Sequence, residues 1–179
     1  EYGCLNMEIE KLKTVCFSGY RPEKFSFPLL DENNLRFLRL QRDIRRAILH
    51  TLEQGFKPYL CGMAKGFDLL CADILLDIME QDKRYQNTLL VAVLPYEGHD
   101  FTDGWGELHR VALTCAQQVV IVSTEYTPDC YQQRNRYMIA HSAHLICYWD
   151  GKQGGTHPAV KMALQRGVVV NNLAQMRKV

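Results

Sequence analysis

Two rhythms of apolar and polar residues alternate along the chain. Short β-branched or continuously apolar runs stand at residues 14–17 (TVCF), 57–61 (KPYLC), 88–95 (TLLVAVLP), 118–123 (QVVIVS), 144–149 (HLICYW) and 167–173 (GVVVNNL). Longer stretches between them repeat apolar residues every three or four positions, which predicts helices. Phe37, Leu40, Ile44, Ile48 and Leu52 line one face of a helix over 33–55, with Gly55 as its stop. Phe67, Leu70, Ile74 and Ile78 do the same over 67–83. Further helices are predicted over 103–117 (helical after Gly106), 131–143 and 157–167, the last with Pro158 in its first turn and Gly167 at its end.

The apolar runs mostly lack alternation, as strands buried on both faces do. Strand and helix follow one another about five times before a closing strand. That order predicts an α/β fold: a single Rossmann-like domain, a mostly parallel sheet with helices on both faces. No repeat, low-complexity stretch or linker divides the chain, so residues 13–175 read as the domain. Residues 1–12 read as an N-terminal extension and 176–179 as a tail. Met7 is a candidate native start, with residues 1–6 an added segment.

Composition changes this picture little. The 179 residues, 47% of them hydrophobic, suit one globular domain. A formal net charge of +1 supplies no broad field for nucleic acid or an anionic membrane. No apolar run approaches the roughly 18 residues of a membrane helix, and no signal-peptide core is visible. The seven cysteines form no CxxC pair and several lie inside apolar runs. An odd count of buried free thiols fits a reducing cytoplasm.

In parallel sheets ligands bind beyond the carboxyl ends of the strands, so the chemistry should lie in the loops there. After the first strand comes SGYRP, where Ser18 and Gly19 end the strand and Arg21 can fork onto a phosphate or carboxylate. After the second comes CGMAKGFD. Gly62 and Gly66 would clear space for a ligand beside a helix N-terminus, and Asp68 would accept from ribose hydroxyls or cap the first turn. Neither the GxGxxG dinucleotide fingerprint nor the GxxxxGK[ST] loop is present.

The third loop carries Tyr96, Phe101 and Trp105 as rings to flank a base, with Glu97, His99, Asp100 and Asp103 as acid–base groups. Nothing elsewhere completes a metal-ligand set around them. Ser123 and Thr124 end the fourth strand, and Arg134 and Asn135 follow in a helical stretch. After the fifth strand, Gly154-Gly155-Thr156 stands just before a helix. Its backbone N–H groups and hydroxyl can converge on a phosphate, making it the best anion-site candidate. A basic run, Arg39, Arg42, Arg45 and Arg46, lies on the first long helix and reads as a solvated face.

Taken in order, SGYRP, GMAKGFDLLCA, LPY, RNRYMI and GGT resemble the YpsA-like branch of the SLOG superfamily. That superfamily also holds the LOG phosphoribohydrolases and the DNA-processing protein DprA. The resemblance covers about residues 14–173. It implies a Rossmann-like domain binding a nucleotide or nucleotide derivative at its carboxyl edge. The family positions would be Ser18, Gly19, Arg21, Gly62, Gly66, Asp68, Arg134, Asn135, Gly154, Gly155 and Thr156. It also allows a homo-oligomer.

The LOG branch places a catalytic glutamate in PGGxGTxxE; here QGGTHPAVKMA puts Ala159, Val160 and Lys161 in that region. Binding or sensing of a nucleotide-type ligand is therefore the expected function, with no cofactor and no metal. N-glycosidic cleavage of a nucleoside monophosphate is the alternative, with Asp68 or Glu97 as its carboxylate. A regulatory interaction module with a vestigial pocket is the second alternative. Neither a membrane nor nucleic acid is expected as a partner.

Overall fold

A computed structural model of the chain describes residues 11–174. The candidate start at Met7, Cys4, most of the expected extension and the 176–179 tail lie outside the described residues. Strands β1 (Val15–Gly19), β2 (Pro58–Cys61), β3 (Leu89–Leu94), β4 (Gln118–Ile121), β5 (His144–Tyr148) and β6 (Val169–Asn172) alternate with helices. The helices are α1 (Leu35–Glu53), α2 (Phe67–Gln81), α3 (Trp105–Cys115), α4 (Cys130–Ala140) and α5 (Thr156–Gln165). The strands form one sheet in the order β4-β3-β2-β1-β5-β6. Every pairing is parallel. The chain is one Rossmann-like α/β domain.

Helices cover both faces, and successive strand residues divide between them. Val15, Phe17, Tyr59, Cys61, Leu90 and Ala92 pack toward α1, α2 and α3. Cys16, Leu60, Val91, Val93, Leu145 and Cys147 pack toward α4 and α5. The missing alternation thus reflects two buried faces. On α1, Phe37, Leu40, Ile44, Ile48 and Leu52 are all buried, as their spacing predicts. The Asn34 side chain caps that helix by accepting from the N–H groups of Arg36 and Phe37. Deep in this layer the Thr51 hydroxyl and Tyr59 OH lie 2.8 Å apart and satisfy each other.

Sequence and structure differ at the sheet edge. The expected fourth buried strand is an edge strand, with Val119 and Ile121 exposed. An apolar run reports strand propensity, and only the strand order decides which run lacks a neighbour. Helix α3 begins at Trp105 and includes Gly106; α5 begins at Thr156.

This order places the functional edge. From β1 the chain steps outward through β2 and β3 to β4, then returns to the other side of β1 as β5. The loops after β1 and β5 therefore diverge at a topological switch point, where a crevice opens in such sheets.

Candidate functional site

The glycines of the first two loops hold the protein together at this edge. A Cβ on Gly19 would come within 2.4 Å of the Phe67 ring. Gly66 has φ +91, and a Cβ there would lie 2.5 Å from the Tyr20 carbonyl oxygen. That carbonyl accepts from Phe67 N–H at 3.1 Å. The first amide of α2 is thus consumed by the loop after β1. This corrects the expectation that Gly66 opens a helix N-terminus to a ligand: both glycines serve close packing between the two loops.

Gly62 has a different role. A Cβ there would stand 2.8 Å from Asp68 Oδ2 and 3.0 Å from Arg134 Nε. The bare backbone lets an acid and a base approach each other across it. Asp68 is buried and accepts from the backbone N–H groups of Gly19 and Ala64. Burial pushes its carboxyl up to about 6, against the pull of Arg134, those two amides and Arg21. Arg134 is also buried, which lowers its affinity for a proton, while Asp68 supports the charge. Its Nη1 donates to Gly62 O at 2.6 Å; Nε and Nη2 donate to Asn135 Oδ1 at 3.2 and 3.1 Å.

In front of this pair lies a cleft of about 540 Å³. It brings together Ser18, Gly19 and Arg21 from the first loop and Asp68 from α2. Arg134 and Asn135 come from α4, and Gly154, Gly155 and Thr156 from the last loop. Gly62 and Gly66 do not line it.

The N-terminus of α5 forms one side. Gly155 occupies its cap position with no side-chain hydrogen bond, and a Cβ on Gly154 or Gly155 would meet nothing within 4 Å. His157 N–H is taken by Gly154 O at 3.2 Å, and Pro158 has no N–H. The Thr156 hydroxyl has no partner among the described residues. This half of the site is open where the α2 half is closed.

Other expected residues point elsewhere. Glu97 is exposed and does not line the cleft; its N–H is tied to Ser123 O at 3.1 Å. The Ser123 hydroxyl donates to Glu125 O at 2.7 Å, and Asp103 pairs with Lys65. Trp105 packs into the core. No carboxylate of α5 exists to face the cleft, since Ala159 and Val160 are buried and Lys161 is exposed. Cys61 beside the site is held as an unreactive thiol by burial. Among the described residues no three His, Cys, Asp or Glu side chains group as metal ligands.

Sequence reasoning misses several lining residues, Tyr131 and Glu23 among them. Tyr131 sits one helical turn before Arg134, and a ring at that spacing was a usable cue. Glu23 lies in a short 3-10 turn, Pro22–Lys24, that no pattern announces.

A model of the YspA SLOG family matches residues 15–171. The chain belongs to this family. Among curated relatives, a UPF0398 protein of Bacillus pumilus is 20% identical over 151 residues, spanning 81% of this chain and 77% of that one. Another from Staphylococcus saprophyticus is 22% identical over 159 residues, 86% and 81% of the two chains.

Among solved structures, DNA processing protein A of Helicobacter pylori superposes with a TM-score of 0.57 at 14% identity, covering 89% of this chain and 64% of that one. DprA of Streptococcus pneumoniae gives 0.51 at 14% identity, over 92% and 60%. This SLOG chain thus spans less than two thirds of either structure, and the likeness is one of fold.

One expectation is overturned by these neighbours. The Helicobacter pylori structure describes a single-stranded DNA binding mode, so net charge near zero is no ground for setting nucleic acid aside. Whole-chain charge averages over the surface, whereas a polyanion reads local patches. Here α1 gathers Arg36, Arg39, Arg42 and Arg46 along one groove. Among the described residues no helix is long and apolar enough to cross a membrane.

Proposed function

We propose that the cleft binds a nucleotide or nucleotide-derived ligand. The observation that carries this reading is the open N-terminus of α5, with Gly154, Gly155 and Thr156 facing the buried Asp68–Arg134 pair across one crevice. The amides and hydroxyl suit a phosphate; Asp68 suits the sugar hydroxyls. Thermal melting of the pure protein against a nucleotide panel tests it. The expected result is a stabilising shift with phosphorylated nucleosides and none with the free bases. No shift with any nucleotide overturns it.

The same site supports N-glycosidic cleavage as the catalytic extension of this reading. Asp68 keeps its proton up to about pH 6 and is the one buried carboxyl lining the cleft, so it is the group to protonate the leaving base as its bond to the anomeric carbon breaks and a water molecule adds to that carbon. Release of free base from a nucleoside monophosphate, absent in Asp68→Asn, is the expected outcome.

A second reading, single-stranded nucleic acid, is favoured by the arginine groove of α1. Its volume is about 680 Å³, and Phe27 and Tyr148 join the arginines in its wall. Phosphates along basic side chains, with aromatic surface beside them, is the pattern that strand binding uses. Oligonucleotide anisotropy at several salt concentrations tests it. Replacing Arg39 and Arg46 by alanine should flatten the salt dependence by roughly one unit per lost phosphate contact.

A further inference from the structure

Beside the main cleft lies a second, smaller compartment of about 290 Å³. Arg21, Glu23, Ala64 and Tyr131 line both spaces, so they form the boundary between them. Beyond that boundary the wall is made by Lys65, His99 and Phe101.

His99 is the unusual member. It is 4% exposed, and neither ring nitrogen has a hydrogen-bond partner among the described residues, with Nδ1 wholly enclosed. A buried polar ring without a partner costs stability. Its orientation is nonetheless held. Phe101, Tyr96 and His109 meet it edge-on with ring centres 4.9, 5.3 and 5.4 Å away, and Tyr131 stands at 6.3 Å. Burial, with His109 and two arginines, keeps the ring neutral down to about pH 4. A neutral imidazole offers one donor and one acceptor.

The charges of the compartment balance and leave no net positive charge for a second phosphate. Lys65 is paired with Asp103 and lies over the Phe101 ring. Arg21 lies over the Tyr131 ring, 5.3 Å from its centre. Glu23 adds a negative charge that would repel an anion. What fits is a flat, uncharged heteroaromatic ring with mixed donors and acceptors at its edge. Proteins read an unstacked base in this way, between aromatic walls with hydrogen bonds to its edge.

Resting on the reading that the main cleft holds a nucleotide, we infer that the side compartment is its base pocket. The phosphate sits at Gly155–Thr156, the sugar crosses the Arg21–Tyr131 boundary, and His99 hydrogen-bonds the edge of the base through Nε2, the ring nitrogen that is not enclosed.

Calorimetric titration with ribose 5-phosphate and with the common nucleoside monophosphates separates this inference from its premise. At least one monophosphate should bind about tenfold or more tighter than ribose 5-phosphate, because the site supplies a partner to a base that the sugar phosphate lacks. In His99→Phe that advantage should disappear while ribose 5-phosphate binds as before, which also shows that the cleft is still folded. In the unaltered protein, the His99 ring nitrogens should shift in NMR spectra on adding the monophosphate and stay still with ribose 5-phosphate. Equal affinity for sugar phosphate and nucleotide, or a base preference that survives His99→Phe, or unmoved His99 resonances overturns the base pocket alone. Failure of every phosphorylated compound to bind overturns the premise.

Discussion

Arg134 Nη1 donates to the carbonyl oxygen of Gly62 at 2.6 Å, across 72 residues of sequence. This bond fastens α4 to the loop after β2 and sets a guanidinium beside Asp68. Replacing Arg134 by methionine leaves a buried carbonyl unpaired and a buried carboxyl without its cation. The expected loss is about 3 kcal/mol of unfolding free energy, read from urea denaturation. Arg134→Lys should lose less, because charge is kept while the fork to Gly62 and Asn135 is broken. In both variants the Asp68 carboxyl should retain its proton to higher pH wherever the cation is lost or displaced.

The glycines divide into two groups that mutation can tell apart. Gly19→Ala drives a methyl into Phe67, and Gly66→Ala combines positive φ with a clash against Tyr20 O. Each should cost about 1–3 kcal/mol. Gly155→Ala has helical backbone angles and open space around its Cβ. It should leave the melting temperature unchanged and weaken binding of a phosphate-bearing ligand instead.

Thr156→Val removes one hydroxyl at the mouth of α5 with little change of shape. Affinity for inorganic phosphate or a nucleoside monophosphate should fall about tenfold, the worth of one hydrogen bond to a charged group. Stability should not move, since that hydroxyl bonds no other described residue. Calorimetric titration alongside thermal melting reads both quantities.

Acidity should act on stability in two opposing ways. His99, buried, binds its proton only near pH 4, and burial lowers His109 and His144 as well. The unfolded chain takes these protons up from about pH 6.5, so stability from these rings is lost as pH falls below that, for His99 down to about 4. Asp68 titrates at about 6 when folded, against 3.8 ordinarily. Its contribution is fully present below 3.8 and is lost as pH rises through 6. Burial raises the Asp73 carboxyl in the same sense as Asp68, so two carboxyls oppose three rings between pH 6.5 and 4.5. Relative to the unaltered protein, His99→Phe should raise the urea midpoint at pH 4.5 against that at 6.5, and Asp68→Asn should lower it.

Several loop residues were legible because their chemistry is local. Gly154-Gly155-Thr156 just ahead of an apolar helix announces an open helix N-terminus whatever the rest of the fold does, and the cleft contains it. Gly19 and Gly66 were legible as special and illegible in purpose. A glycine in sequence looks the same whether it makes room for a ligand or for Phe67 and the Tyr20 carbonyl. Glu97 has the right chemistry on the right edge, yet its loop is tied to Ser123 and keeps it outside the cleft.

The order of strands and helices, the two-sided burial of most of the sheet and the edge at which the candidate cleft opens were all determined by the sequence. Periodicity, strand length and turn residues act over a few positions, and those interactions can be read in one dimension. Only the tertiary structure decided that β4 is an edge, that α2 begins against Tyr20 and α5 against open space, and that His99 stands behind Arg21 and Tyr131. Those facts depend on which loops the strand order sets side by side. Tyr20 bonding Asp150 across 130 residues belongs to that same class of contact.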